Sequence, residues 1–147
     1  MLITILITGG LMVTTITFHY WILDFLIKLV PDPETDHSHF LRSLSLLLLL
    51  VVAHVLEILA FALGYLAGVE LLGWNPDAIG QNGLLTFIDF FYYSAVSYST
   101  LGMASVPAGD LRFMTAMESL TGIIILTWSA TFFYNVLGRS PSTEREG

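Results

Sequence analysis

The sequence predicts an all-α integral membrane protein with three crossing helices and one shorter helix that enters the membrane without crossing it. Three observations lead there. The 147 residues are 55% hydrophobic and only 12% charged, with a mean hydropathy of +0.78, whereas soluble domains carry about 25% charged residues. Three apolar stretches reach the length of about 20 residues that a helix needs to span hydrocarbon. A fourth, of about 15 residues, is too short to do so and matches a buried or re-entrant segment. The 10 Phe, 6 Tyr and 3 Trp exclude a disordered chain.

The first span runs from Leu2 to about Leu29 and is interrupted only by His19 and Asp24. It has no basic leader region and no small-residue cleavage site, so it reads as a retained helix rather than a signal peptide. Thr4, Thr8, Gly9, Gly10, Thr14, Thr15 and Thr17 make it rich in small and hydroxyl residues, which let helices approach closely inside a membrane. The second span, Ser43 to Leu72, contains the unbroken run Leu46 to Val52. The third runs from Phe113 to Leu137. The short stretch lies between the second and third spans, from Leu84 to Tyr98, and holds Phe87, Phe90, Phe91, Tyr92 and Tyr93. Backbone that enters lipid without crossing must be buried in protein or line water.

Basic residues set the orientation. Lys28 and Arg42 flank the first connection, Arg139 and Arg145 follow the third span, and Arg112 alone lies on the opposite side. This places the first connection and the C-terminus in the cytoplasm and the N-terminus outside. A net charge of −7 with five basic residues excludes nucleic acid as a partner. The absence of cysteine excludes disulfides, thiolate metal sites and cysteine nucleophiles. No span carries arginine at every third position, so a voltage sensor of the usual kind is absent.

The segment after the short helix reads Ser97-Tyr98-Ser99-Thr100-Leu101-Gly102-Met103-Ala104-Ser105-Val106-Pro107-Ala108-Gly109-Asp110-Leu111-Arg112. Small hydroxyl residues leading into a glycine suit a constriction lined by backbone. Tyr93-Ser94-Ala95-Val96 followed by Ser99-Thr100-Leu101-Gly102 resembles the pore helix and filter of potassium channels, whose filter reads Thr-x-Gly-Tyr-Gly-Asp. The resemblance continues through Val106-Pro107-x-Gly109-x-x-Arg112, Glu118, Gly122 and Trp128-Ser129-Ala130-Thr131, about 60 residues in all. It points to small bacterial two-transmembrane-type channels with one extra N-terminal span, and a bacterial inner membrane is implied by it alone.

The resemblance implies a homotetramer in a lipid bilayer that passively conducts monovalent cations, potassium or sodium, with no cofactor, no resident metal and no enzymatic activity. Its organisation would be an N-terminal helix over 1–30, a cytoplasmic loop over 31–42, a pore domain over 43–137 and a cytoplasmic tail over 138–147. Within the pore domain come an outer helix 43–72, a pore helix at about 85–98, a filter-like loop 99–105 and an inner helix 113–137. Four such loops surround the ion with carbonyl oxygens that replace its water, an arrangement for which potassium channels are the standard illustration. Thr100, Leu101 and Gly102 keep the inner half of the motif. Met103 replaces the family's tyrosine, Ala104 its second glycine and Ser105 its aspartate. A residue with a Cβ in the left-handed conformation that this second glycine takes costs about 1–2 kcal/mol. Two readings follow: a cation pore lined by Thr100, Leu101, Gly102 and Met103 with weakened potassium selectivity, or a non-conducting structural or regulatory protein that keeps the channel fold.

Three further features carry alternatives. Gly122 is either a hinge of the last span or a site of close helix packing. Glu118, with Ala104 and Ser105 the expected support of the filter, either braces the pore loop or faces outer water, and an acid inside a span favours the first. His19 lies 9 residues before Lys28, and His54 lies 12 after Arg42, which puts the two imidazoles at depths differing by about 5 Å. With Glu57 on the same face as His54, these form an intramembrane polar cluster. It reads either as an interhelical hydrogen bond or as a metal site or proton-sensitive latch. A metal-dependent membrane enzyme built on it has too few histidines to be favoured.

Overall fold

The computed structural model describes residues 1–29, 36–80, 85–102 and 107–137. Its four described elements are all α-helices: α1 (Leu2–Leu29), α2 (Asp36–Leu72), α3 (Phe87–Tyr98) and α4 (Gly109–Leu137). Three of them contain stretches long and apolar enough to cross a membrane, at Leu2–Lys28, Phe40–Leu72 and Gly109–Val136. α3 spans only 12 residues, about 18 Å at 1.5 Å per residue.

Helices extend beyond the apolar stretches that mark them in the sequence. α2 starts at Asp36 rather than at Ser43, so residues 36–42, read as part of a loop, are helical. Hydropathy registers where the chain enters lipid, and polar turns outside the hydrocarbon continue the hydrogen-bond ladder without that signal. For the same reason α4 starts at Gly109, four residues before Phe113.

α1 and α4 begin at one end of the bundle, where the Met1 ammonium lies 3.3 Å from the Asp110 carboxylate. α1 presents Thr4, Thr8, Thr15, His19, Leu23 and Leu26 to the interior, a stripe at three- and four-residue spacing. Thr14 and Thr17 of the same hydroxyl-rich span point outward. Most of each span's surface remains outside the bundle, including Leu47, Leu48, Val51 and Val52, as a lipid-facing surface requires.

Two apolar clusters fill the interior. One gathers Phe61, Tyr65, Trp74, Phe90, Leu111 and Met114 around α3. The other gathers Leu23, Leu26, Leu46, Leu50 and Phe132 toward the opposite end. Between them along α2 lie His54 and Glu57, the latter fully buried.

α3 is wedged between α2 and α4, and Gly122 decides how closely it approaches α4. A Cβ built on Gly122 would collide with the backbone carbonyl of Tyr98. Backbone cannot yield as a flexible side chain can, so Gly122→Ala is expected to lower stability by about 1–3 kcal/mol. Gly10, which has nothing within 4 Å of such a Cβ, is the control: Gly10→Ala should stay within about 0.5 kcal/mol. Thermal unfolding of both variants in detergent checks the pair; equal melting temperatures would show that Gly122 is not a packing position.

Candidate pore loop and intramembrane polar layer

α3 begins with a cap. The Asp89 carboxylate accepts both the backbone N–H and the hydroxyl of Thr86, each at 2.7 Å, and these bonds hold the Asp89 carboxyl below the usual carboxylate range. The carboxylate also sits at the positive end of the helix dipole. No ion is needed to explain it.

Along its length α3 is held by hydroxyl groups. Ser94 reaches the Ile58 carbonyl at 2.8 Å and the Glu118 carboxyl at 2.5 Å. Tyr65 of α2 donates to the other Glu118 oxygen at 2.5 Å. Tyr93 and Thr115 are 2.9 Å apart through their hydroxyls, and Ser119 donates to the Ser97 carbonyl at 2.9 Å. Glu118 is completely buried, so it does not face outer water. It accepts from the hydroxyls of Tyr65 and Ser94, which belong to α2 and α3. Tyr65 carries no sequence signal for this role, since an aromatic in an apolar span reads as packing.

The C-terminus of α3 is a Schellman turn, which satisfies helix-end carbonyls with the next two amides. Ser99 caps the helix, Thr100 N–H donates to the Ser97 carbonyl at 3.2 Å, and Leu101 N–H donates to the Val96 carbonyl at 3.2 Å. This motif places its C′ residue in the left-handed region, and glycine is the usual occupant. Here Thr100 occupies it at φ 57°. For a β-branched side chain that conformation is an outlier, and such residues persist where the surroundings over-determine them. Gly102 follows at φ 93°. Leu101 is 80% exposed and points away from the rest of the chain. Val96, Ser97, Thr100, Gly102 and Ser119 line a cleft of about 250 Å³ between the turn and α4. Met103, Ala104 and Ser105 lie outside the described residues.

The tip of α3 also touches a second polar group. The Tyr98 hydroxyl donates to Glu57 Oε2 at 2.5 Å and stands 3.1 Å from His54 Nδ1. Glu57 Oε1 lies 2.7 Å from His19 Nδ1, and Oε2 lies 3.0 Å from His54 Nδ1. Ser129 of α4 is 3.1 Å from the Nε2 atoms of both histidines. Thus His19, His54 and Glu57 come together, and all four helices contribute to the group. Tyr98 and Ser129 were absent from the sequence reading of this cluster, because single hydroxyls in apolar helices have no distinctive spacing.

The strained turn has a measurable consequence. Thr100→Gly should raise thermal stability by about 1 kcal/mol, the left-handed penalty less the glycine's larger conformational entropy. Thr100→Val keeps the branched Cβ and should gain nothing. Melting temperatures of the two variants in one detergent decide this; a stabilised valine variant would place the strain elsewhere.

Comparison with family models matched one described as Ion channel over residues 45–139, about two thirds of the chain. The match runs from within the apolar part of α2 to just beyond α4 and so includes the capped short helix, the strained turn and Glu118. No curated protein matched the chain, and no solved structure did. Membership in such a family points to a channel rather than an enzyme. The chain is an integral membrane protein of the potassium-channel-like, pore-loop ion channel family.

Proposed function

We propose that four copies of this chain assemble around one axis and form a pore that passes potassium and sodium passively, with weak discrimination between them. The observation that carries this reading is the turn at the end of α3. Thr100, Leu101 and Gly102 follow directly on a helix whose last turn contains no basic residue. The C-terminal end of a helix dipole carries partial negative charge, which favours a cation at this position and disfavours an anion. One such loop per chain makes a ring only if several chains surround it, and the 80% exposure of Leu101 leaves that side chain for a neighbouring copy.

Thr100 supplies a carbonyl and a hydroxyl, and Leu101 and Gly102 supply carbonyls, to the narrow part; Met103 continues it outward. Glu118 supports the loop indirectly, by holding α3 through Ser94, with Ala104 and Ser105 as the flanking outer positions. Close packing rather than hinging accounts for Gly122, given its contact with the Tyr98 carbonyl. The excess of basic residues at the other end of the bundle supports a pore loop and N-terminus outside and a cytoplasmic C-terminus.

The departures at Met103, Ala104 and Ser105 favour a second reading, a non-conducting protein with structural or regulatory duties. Flux into liposomes separates the two. The purified protein, shown to be a folded tetramer by native mass measurement, should pass potassium and sodium and exclude N-methylglucamine. Met103→Tyr, Ala104→Gly and Ser105→Asp combined should raise the potassium-to-sodium ratio. No flux from the tetramer, with potassium flux gained only in the triple variant, would support the non-conducting reading instead.

A further inference from the structure

The group formed by His19, His54 and Glu57 lies outside the pore loop, and conduction makes no use of its imidazoles. We propose that it binds one divalent transition-metal ion of the zinc class through His19 Nδ1, His54 Nδ1 and Glu57 Oε1.

The donor geometry suits such an ion. Ligand atoms of the three residues all lie within 4.8 Å of one another. His19 Nδ1 is 2.7 Å from Glu57 Oε1, and His54 Nδ1 is 3.0 Å from Glu57 Oε2. Ligands at about 2.0–2.1 Å around a tetrahedral centre stand about 3.3 Å from each other, so small shifts admit the ion. The two imidazoles are stacked, with centroids 5.4 Å apart and planes 20° apart. Near-parallel rings turn both Nδ1 atoms toward Glu57 and both Nε2 atoms toward Ser129.

Hydrogen accounting at Ser129 supports the same assignment. A serine hydroxyl has one hydrogen and two acceptor lone pairs. If both neutral imidazoles gave their Nδ1 hydrogens to Glu57, two Nε2 lone pairs would compete for that single hydroxyl hydrogen. Metal ligation at Nδ1 puts each ring hydrogen on Nε2, and the two N–H groups then donate into the two lone pairs of Ser129 Oγ, 3.1 Å from each. Metal-bound histidines use such an outer partner for their second nitrogen.

Glu57 is arranged to match. Tyr98 occupies Oε2 as a hydrogen-bond donor, which leaves Oε1 for the metal. A carboxylate with no solvent exposure needs a positive partner, because burying an unpaired charge is costly. Two imidazoles and one carboxylate suit zinc, cobalt or iron(II) rather than calcium or magnesium, which take oxygen ligands. Three protein ligands leave a fourth position for water. The His54 side chain keeps 15% exposure, while those of His19 and Glu57 have none.

The full chain in detergent, stripped with a chelator and titrated with cobalt(II) and then zinc(II), tests the assignment without reference to flux. One equivalent of cobalt per chain should bind and develop the intense visible bands of four-coordinate cobalt, and zinc should displace it and raise the melting temperature. His19→Ala and Glu57→Gln should each lose at least 100-fold in affinity. Ser129→Ala, which removes no ligand and only one small hydroxyl, should weaken binding about 10–100-fold, the range for outer partners of metal ligands. A wild-type cobalt spectrum that stays that of the aqueous ion, or zinc stoichiometry well below one, would overturn the proposal even if every variant misfolds. So would affinity unchanged in Ser129→Ala, or zinc-independent stability that follows pH through the imidazole range, the mark of a shared proton in place of a metal.

Discussion

Everything about the loop depends on how a 12-residue helix is kept inside a bundle that stands in lipid. Such a helix has polar side chains and unsatisfied ends at a depth where lipid offers no partner, and each must be answered by protein. The answer is a set of hydroxyl-to-carboxyl bonds. Glu118 of α4 accepts from Ser94 in the middle of α3, and Glu57 of α2 accepts from Tyr98 at its tip. Two carboxylates, from two different spans, therefore hold one helix at two heights. In a low dielectric such bonds are costly to leave unmade. The depth and roll of α3 are set by these two anchors, and the packing of Gly122 against the Tyr98 carbonyl sets its distance from α4.

Much of the fold was legible because apolar length and loop composition speak directly about membranes. The unbroken leucine run from Leu46 marks a span, and the shortness of the Leu84–Tyr98 stretch marks a helix that does not cross. What hydropathy cannot show is where helices end in water: the first turn of α2, Asp36 to His39, is polar and carries no membrane signal. The intramembrane acids and histidines were legible one by one, since each stands out in an apolar span. Their partners were not. Tyr65, Tyr98 and Ser129 belong to residue types that apolar helices use for packing, and only the fold reveals that their hydroxyls converge on Glu118, Glu57 and the two imidazoles.

The threonine of the loop shows a different kind of gap between sequence and structure. By composition, Ser99-Thr100-Leu101-Gly102 reads as a flexible run of small residues ending in a glycine. In the fold Gly102 takes a positive φ, and so does Thr100 two residues earlier, where it is compelled by the Schellman bonds of α3 to Thr100 and Leu101. A glycine at this place would relieve the strain but would remove the hydroxyl. The strain is thus tied to a side chain with a branched Cβ at the first position beyond the cap of α3.

Among the described residues, the bonds that hold Thr100 and Leu101 come from α3, which is itself held by α2 and α4. Ser97 accepts from Thr100 and from Ser119, Val96 accepts from Leu101, and Ser94 ties the same helix to Glu118. The placement of the turn at Thr100 is a property of how a short helix is buried.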